Sequence, residues 1–412
     1  MNNRGIARQN NYLANRDKVR GSSDDLGSYL FPTGEIGNFI ISGGEPYQRF
    51  SLLVSALQGT LGALPVIVFH NSIIGVEQIF HAELSNAAQA GCSVHYAIVN
   101  DQNRAFEPFL GMSESAVNTC LRKMAQKLGF QISAEFDQTA RAHFQILRLK
   151  GAPLCLSSLY YLATFTDMEL FFKNVMALPC SRSEAQQIWA KLGASDSSTG
   201  QFELFRSIIL NFAEEAGYSG WSKSSGFGSV NCYQALQNGA CLSLPLDGQH
   251  SDLMDIYLAE ELSMFKGPCF LLFCDTIIGP ELVYYLRSSS GRIRFGFSAQ
   301  HAAEMVPEPP DAFSSISEML DSLIIFQHNS AIEAEKYSQI IGKYDESILE
   351  QSRGFSWARM ELFSRGRTDG FSVRTQNVYR VRPEDITSLP PSAAYIYLPS
   401  QGGQIIYFRM GR

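Results

Sequence analysis

Residues 38–57, NFIISGGEPYQRFSLLVSAL, combine a short apolar run, a pair of glycines and an amphipathic segment. This pattern predicts a buried strand that turns at the glycines into a helix, which is the layout of a phosphate-binding loop. In the motif G-x-x-x-x-G-K-[ST], backbone N–H groups surround the phosphate, the lysine contacts the β- and γ-phosphates, and the hydroxyl binds Mg²⁺. The stretch therefore predicts both the fold and the first place to search for a site.

The chemistry of the motif is incomplete when Gly44 is taken as its first glycine. Ser51 then falls on the Mg²⁺ position, but Arg49 replaces the second glycine and Phe50 replaces the lysine. The hydroxyl is retained, whereas the charge that would contact the phosphates is lost.

Taking Gly43 as the first glycine changes which parts are missing. Arg49 then keeps a positive charge at the lysine position, but Gln48 occupies the glycine position and Phe50 the hydroxyl position. In both registers Pro46 lies inside the predicted loop, where it removes one N–H donor. The sequence therefore predicts a nucleotide-binding fold with a damaged nucleotide site.

Composition indicates an ordinary globular chain. Its 412 residues are 45% hydrophobic, enough for a large core and for two or three domains' worth of structure. The formal net charge of -7 disfavours a surface coated with basic residues for nucleic acid, although it leaves room for a local basic channel.

Cysteine spacing and hydropathy restrict the chain further. The eight cysteines form no C-x-x-C pair and have no paired histidines beside them, so neither a zinc site nor a redox motif is indicated. No apolar run approaches the ~18–20 residues of a membrane helix, and the first residues lack the apolar core of a signal peptide. We therefore expect a soluble cytoplasmic protein with reduced thiols and no membrane segment.

The first third of the chain alternates strand and helix patterns. Residues 1–27 are polar and predict a flexible tail, with a basic interaction arm as the alternative. Leu64 to Phe69 is continuously apolar, as expected for a central parallel strand, and Ser93 to Val99 predicts the next strand after a helix-like segment. A helix capped by Ser113 follows. We assign residues 28–150 to the first part of a RecA-like α/β domain with a mainly parallel sheet.

Residues 151–224 carry only helical patterns and predict an inserted all-helical subdomain. The α/β pattern resumes in residues 225–412. Its most apolar strand, Cys269 to Cys274, is followed directly by Asp275, and the strand Phe295 to Ala299 ends at Gln300. The remainder predicts a β-rich C-terminal segment.

Seven segments along the chain resemble the type IV coupling proteins, the conjugative DNA-transfer ATPases of the FtsK/HerA superfamily. They occur in the order and approximate spacing of that family and cover most of residues 34–412: SGGEPYQRFSLL (42–53), AFEPFLGMSES (105–115), NGACLSLPL (238–246), CFLLFCDT (269–276), GRIRFGFSAQHAAEM (291–305), AEKYSQIIGKYD (334–345) and RVRPEDITSLPPSAAYIYL (380–398). The helical insert resembles the family's all-alpha domain.

This resemblance implies a hexameric RecA-like motor that binds ATP between subunits and moves single-stranded DNA or protein toward a secretion channel. It also implies that Ser51 and Asp275 would contact Mg²⁺, if nucleotide binds, and that Gln300 would sense the γ-phosphate. The acid that would orient the attacking water is replaced by Thr276, whose hydroxyl cannot act as a base at neutral pH. The chain thus resembles a degenerate member of the family.

Several site residues have two interpretations. Gly43 and Gly44 serve either a tight strand-to-helix turn or phosphate contact. Arg49 is either a substitute for the lysine or a solvent-facing residue on the first helical turn. Asp275 and Gln300 are either site residues or polar ends of buried strands, which face the crevice in open α/β sheets.

Charged residues outside the loop also have two interpretations. Arg287, Arg292 and Arg294 cluster near the place where the family has residues that reach a neighbouring subunit. The segment 351–412 holds nine arginines against four acids, which suits either nucleic-acid phosphate or a charged β edge. His70 and His301 have no carboxylate at a defined spacing, and we interpret them as ordinary polar residues.

Three functions fit the sequence. The first is a pseudo-ATPase kept for assembly or substrate handling, in a homo-oligomer or together with a coupling-type ATPase or secretion component. The second is a weak NTPase, with ATP and Mg²⁺ bound at low affinity, whose site is completed by a neighbouring subunit or by Arg49. The third is a nucleic-acid-binding module that uses the arginine-rich C-terminal region.

Overall fold

The structure is a computed structural model, and it describes residues 18–21, 23–32, 36–71, 82, 85–86, 88–89, 91, 94–96, 106–193, 199–216, 230–246, 252–289, 291–306, 312–356 and 366–410. No helix within these residues is both long and apolar enough to cross a membrane. The predicted helix-like segment before Ala90 and the end of the strand predicted at Ser93 to Val99 lie largely outside the described residues.

The helices are numbered in chain order. They are α1 (Ser23–Leu30), α2 (Pro46–Thr60), α3 (Glu114–Lys127), α4 (Ala134–Leu149), α5 (Leu156–Ala163), α6 (Met168–Met176), α7 (Arg182–Leu192), α8 (Thr199–Glu215), α9 (Cys232–Gln237), α10 (Asp252–Met264), α11 (Pro280–Ser288), α12 (Ala312–Ser317), α13 (Ala331–Ile341) and α14 (Pro383–Thr387), with 3-10 turns at Ala302–Met305 and Pro399–Gln401.

The strands are numbered in the same way. They are β1 (Lys18–Gly21), β2 (Phe39–Ser42), β3 (Val66–His70), β4 (Val94–Tyr96), β5 (Cys241–Pro245), β6 (Cys269–Cys274), β7 (Ile293–Ala299), β8 (Ser322–Ile325), β9 (Lys343–Ser356), β10 (Gly366–Tyr379), β11 (Ala393–Leu398) and β12 (Gln404–Met410).

The first compact unit, residues 21–322, is built on a parallel sheet. Its strands lie in the order β2-β7-β6-β3-β5-β4, and every adjacent pair in this order is parallel. The strand that enters the glycine turn and the strand that ends before Asp275 are therefore separated by β7. The predicted α/β fold class is confirmed, and the two apolar strands expected to share one sheet, β3 and β6, are direct neighbours.

The sheet is central because its strands are apolar on both faces, as expected for parallel strands covered by helices on both sides. All residues of β2, β3 and β6 are buried. On one face Phe69, Phe273 and Phe297 stack across adjacent strands, with neighbouring ring centroids 4.9 Å apart. This packing fixes the level at which the strands end, and hence the edge that carries the candidate site.

Helix α2 begins earlier than the sequence suggested. It starts at Pro46, so the prediction that Pro46 lies inside the loop is wrong. Proline suits the first helical position because its missing N–H would have no helical partner there. The loop between strand and helix is consequently short, comprising only residues 43–45.

The helical lobe also starts before the predicted boundary at residue 151. Helix α4 packs on α7, where Thr139 Oγ1 donates to the Lys191 carbonyl (3.3 Å) and Gln145 Nε2 donates to Glu184 Oε1 (2.9 Å). The helical periodicity of residues 134–149 is compatible with a place in either the core or the lobe. Only the packing on α7 assigns helix α4 to the lobe.

Two other boundaries differ from the prediction. The polar tail was expected to reach residue 27, whereas α1 begins at Ser23 and packs on α2, with Gly27 against the Ser55 side chain. The predicted second part of the RecA-like domain, residues 225–412, is divided, because its last ninety residues belong to a separate compact unit.

That second unit comprises residues 323–412 together with N-terminal residues through 20. In it β11 pairs antiparallel with both β8 and β12, as the β-like pattern of the C-terminal segment predicted. Strands β9 and β10 form a separate antiparallel ribbon of 14 residue pairs. Strand β9 was missed because its residues, KYDESILEQSRGFS, lack a clear apolar alternation.

Candidate nucleotide site

The carboxyl ends of the central strands bring the predicted site residues to one edge of the sheet. Strand β2 leads into Gly43, β6 into Asp275 and β7 into Gln300. Backbone hydrogen bonds join these ends: Asp275 N donates to the Ser298 carbonyl at 2.8 Å. Ligands of open α/β sheets bind at this edge, and a site formed by these residues stays a prediction.

The glycine pair makes the tight turn. Gly43 and Gly44 have φ values of 80° and 67°, in the left-handed region that favours glycine. Gly43 N donates to the carbonyls of Ala299 (3.2 Å) and Gln300 (3.1 Å). The first N–H group of the turn thus points toward β7 and is already occupied.

Two further donors of the turn are also occupied. Glu45 N donates to the Gln48 side-chain oxygen (2.8 Å), and Gln48 N donates to the Glu45 carbonyl (3.1 Å). Pro46 has no N–H to contribute. This Glu45–Gln48 pair was not predicted, because Glu is not among the residues Ser, Thr, Asp and Asn that mark a helix start in sequence.

Arg49 fills the space that the loop encloses. The residue is only 3% exposed, and its Nη1 donates to the carbonyls of Gly43 (3.2 Å) and Gly44 (2.9 Å). Its Nη2 lies 3.6 Å from Asp275 Oδ1. The interpretation of Arg49 as a solvent-facing residue is wrong, because the side chain turns inward and bonds to the loop's own carbonyl groups.

Asp275 completes the ion pair from the end of β6. Its φ of 48° lies in the left-handed region, which Asp tolerates better than most residues. Burial raises the pKa of the carboxyl, while the Arg49 guanidinium and the Gln300 backbone N–H oppose that rise. The carboxylate therefore has a resident cation in place of a metal ion.

Ser51 and Gln300, the other residues predicted to contact Mg²⁺ or phosphate, take little part in the Arg49–Asp275 ion pair. Ser51, partly buried on α2, donates its hydroxyl to the Gln48 carbonyl at 3.0 Å, and Gln300 is exposed. Thr276 is buried, and its hydroxyl lies 3.4 Å from the Leu246 carbonyl. The position where a catalytic acid would orient water thus holds a neutral side chain turned toward β5.

The two histidines differ in their surroundings. His70 is fully buried at the end of β3, with Nε2 2.8 Å from Ser243 Oγ and Nδ1 3.1 Å from the Asn71 carbonyl. His301 is partly buried beyond β7. The interpretation of both histidines as ordinary polar residues stays a prediction.

The arginine cluster lies at the other end of β7. Arg292 immediately precedes the strand, is partly buried and donates from Nη2 to Ser289 Oγ at 3.2 Å. Arg287 is exposed in the last turn of α11, and Arg294 is partly buried within β7. The three arginines are thus remote from Arg49 along the strand, and any intersubunit role stays a prediction.

The residues at this edge do not fit a bound Mg²⁺-nucleotide. Phosphate needs free N–H donors and a positive charge directed at it. Here the N–H groups of Gly43, Glu45 and Gln48 have partners within the protein, and Arg49 donates to loop carbonyls. Asp275, the expected Mg²⁺ ligand, is paired with the same arginine. Within the described residues, no group of three or more His, Cys, Asp or Glu side chains forms a metal site.

Comparison with known proteins finds similarity at the level of fold. No protein-family model and no curated protein matches the sequence. The bacterial conjugative coupling protein TrwBdeltaN70 in its unbound form matches with 11% identity, 96% coverage of this chain, 92% coverage of that chain and a TM-score of 0.49. TrwB in complex with ADP and Mg²⁺ matches with 13% identity, coverages of 96% and 94% and a TM-score of 0.41.

VirB4 of Thermoanaerobacter pseudethanolicus also matches, with 10% identity, 91% coverage of this chain, 89% coverage of that chain and a TM-score of 0.44. The chain is thus similar in fold to a coupling protein and to a VirB4 protein. At these identities the similarity concerns the fold alone.

Proposed function

We propose that this chain is a catalytically inactive relative of the coupling and secretion ATPases that works by association, in assembly or in substrate handling. The observation that carries the proposal is the buried Arg49 guanidinium. It bonds to the carbonyls of Gly43 and Gly44 and pairs with Asp275, so the protein's own side chain occupies the place where phosphate and Mg²⁺ would bind.

The replacement of the catalytic acid supports the same proposal. Phosphoryl transfer needs positive charge on the γ-phosphate and an oriented nucleophile. Arg49 directs its charge at loop carbonyls and Asp275, while the buried Thr276 contacts the backbone of Leu246. Both catalytic contributions are therefore missing, whereas the sheet and the helical lobe are intact.

The test of the inactive site is a melting curve with excess Mg-ATP. A ligand at ~100 times its Kd adds roughly 2.7 kcal/mol to the free energy of unfolding, which moves the transition by several degrees. We expect an unmoved transition, and ATP turnover no higher than that of the Asp275→Ala variant. A clear shift in the native protein that Asp275→Ala abolishes, or turnover above that control, would contradict the proposal.

The association is tested by light scattering of the isolated protein and then by mixing it with a purified coupling-type ATPase from the same cell. We expect either a closed oligomer or a complex that changes the rate of the active enzyme. Arg287→Ala is the informative variant because Arg287 is exposed. Arg292→Ala is the structural control, since it removes the contact with Ser289. A strict monomer that neither binds such an ATPase nor alters its rate would count against association.

A further inference from the structure

The loop of residues 106–112, called the junction loop below, lies between the α/β core and the helical lobe. At its start Phe106 pairs with Val230 in an isolated parallel bridge, and farther along the Leu110 carbonyl accepts a hydrogen bond from the Asn231 side-chain amide. Asn231 is itself held in place, because its side-chain oxygen caps the start of α9. Both halves of the junction loop are thus anchored in the core.

The middle of the junction loop holds the lobe at the start of α5. Leu156 N donates to the Pro108 carbonyl, and Ser157 N donates to Glu107 Oε1, each at 2.8 Å. Glu107 is only 4% exposed, so its bond to α5 is shielded from water. The first N–H groups of a helix have no partner inside that helix. Here two groups of the core supply the partners that a lobe helix needs.

Phe109 is wedged between core and lobe in a strained backbone conformation. Its buried ring lies 5.3 Å from the Phe212 ring of the lobe helix α8 and 5.4 Å from the Tyr257 ring of the core helix α10, measured between centroids. Its φ of 68° is in the left-handed region, which is unfavourable for a bulky side chain. Among the described non-glycine residues, Asp275 alone shares this feature. Such strain persists only where surrounding contacts enforce it.

The strain and the lobe contacts depend on each other. While the Phe109 ring lies between Phe212 and Tyr257, its backbone cannot return to negative φ. Once α5 leaves the junction loop and the rings separate, nothing enforces the strain and the backbone relaxes. An intermediate arrangement would lose the hydrogen bonds and still retain the strain. The junction therefore favours two arrangements, docked and released, over a continuous range between them.

We propose that the junction loop is a strained clamp, which holds the helical lobe on the core in one orientation and releases it in a single step that relaxes Phe109. Relaxation offsets part of the loss of the α5 hydrogen bonds and ring contacts, so release costs less than those contacts alone would require. The released lobe is a second arrangement that a bound partner can select. The clamp does not depend on whether the glycine-turn edge binds nucleotide.

Hydrogen exchange of the full chain at several urea concentrations, followed by mass spectrometry, tests whether the junction loop and α5 open together. We expect peptides covering residues 106–113 and 154–160 to share one opening constant and one urea dependence, with a free energy of opening below that of β3 and β6. Different opening constants for the two peptides, or opening only together with β3 and β6, would refute the clamp.

Glu107→Ala separates a clamp from a simple helix cap. It removes the buried acceptor of Ser157 N, so we expect the opening constant of both peptides to rise about tenfold. Glu169→Ala, at a lobe side chain that is 78% exposed, is the matched control and should leave both unchanged. A rise confined to the α5 peptide is the result of a local cap and would overturn the proposal.

Phe109→Gly and Phe109→Ala test the strain, because both delete the same ring. At an ordinary φ, glycine opens more readily than alanine, since it gains more backbone freedom. At a φ of 68° the alanine Cβ retains the penalty and glycine does not. We therefore expect the α5 peptide, residues 154–160, to open several-fold less in Phe109→Gly than in Phe109→Ala. An equal or reversed order refutes the clamp, and this pair decides where Glu107→Ala does not fold.

Discussion

The glycine-turn edge of the sheet and helix α10 both bury ionisable side chains, but only the edge pairs opposite charges. Arg49 has two carbonyl acceptors and the Asp275 carboxylate, whereas the completely buried Glu261 of α10 accepts hydrogen bonds, one of them from Tyr233 N, without a paired cation among the described residues. The edge thus holds its charges in an ion pair, whereas burial raises the pKa of Glu261 to about 7. Burial alone does not determine how a charged group behaves; its partners do.

Under the proposed function, the edge is a nucleotide site that has been lost. Removing a lysine from a phosphate loop leaves open donors and an unpaired carboxylate, both of which are unfavourable when buried. Arg49 removes the second problem, because its guanidinium pairs with Asp275 and also donates to the loop carbonyls. The fold can therefore persist without ligand, as expected of a protein retained for its shape.

Replacing Arg49 with Met should produce the largest effect at the edge. The change removes two buried hydrogen bonds and leaves the Asp275 carboxylate without a cation, so we expect a loss of about 3 kcal/mol in the free energy of unfolding. Water screens part of this effect, since the Asp275 side chain is 28% exposed. Urea unfolding measures the change at pH 7.

Arg206→Met is the matched control, because Arg206 pairs at the lobe surface with Glu203, whose side chain is 56% exposed. Its ion pair with Glu203 should contribute less than about 1 kcal/mol to the free energy of unfolding. Its hydrogen bond to the Ala163 carbonyl contributes separately. Equal losses in the two arginine variants would show that the edge is not held by Arg49.

Much of this architecture was predictable from sequence because it depends on local apolar patterns. The strands around Phe69 and Phe273 are continuous apolar runs, and Asp275 follows directly from one of them. The inward turn of Arg49 was not predictable, since it requires carbonyls and an acid more than 200 residues apart to meet. Glu261 was missed for a similar reason: α10 has apolar residues on all sides, and nothing local marks one acid as buried.

A smaller effect should come from His143 of α4, because burial shifts its pKa in the opposite direction to that of Glu261. The ring is buried, stacks on Phe205 at 4.1 Å and hydrogen-bonds the Thr139 carbonyl through Nδ1. Desolvation lowers the pKa of His143 from 6.5 to about 4. Its stabilisation is present above the ordinary pKa and is lost as pH falls toward about 4.

In global unfolding the slopes from His143 and Glu261 should largely cancel between about pH 4.5 and 6.5. His143→Phe keeps the ring stacking and exposes the Glu261 slope, so stability should fall with rising pH by up to about 2 kcal/mol across this window. Glu261→Gln should show the reverse slope. Urea unfolding at several pH values measures both slopes. Parallel profiles in the two variants would contradict the opposite pKa shifts of His143 and Glu261.

The smallest effect should come from Asp275→Asn, which tests whether the edge depends on charge or on the loop carbonyls. Asn tolerates a φ of 48° and still offers an oxygen to Arg49, so only the ionic part of the contact is lost. Since Arg49 keeps its bonds to Gly43 and Gly44, we expect a loss of about 1 kcal/mol in urea unfolding at pH 7. Asp275→Ala should cost more, because alanine adds backbone strain in the left-handed region. If Asp275→Asn instead equals Arg49→Met, the ion pair is the main interaction at the edge, and the carbonyl contacts of Arg49 contribute little to its stability.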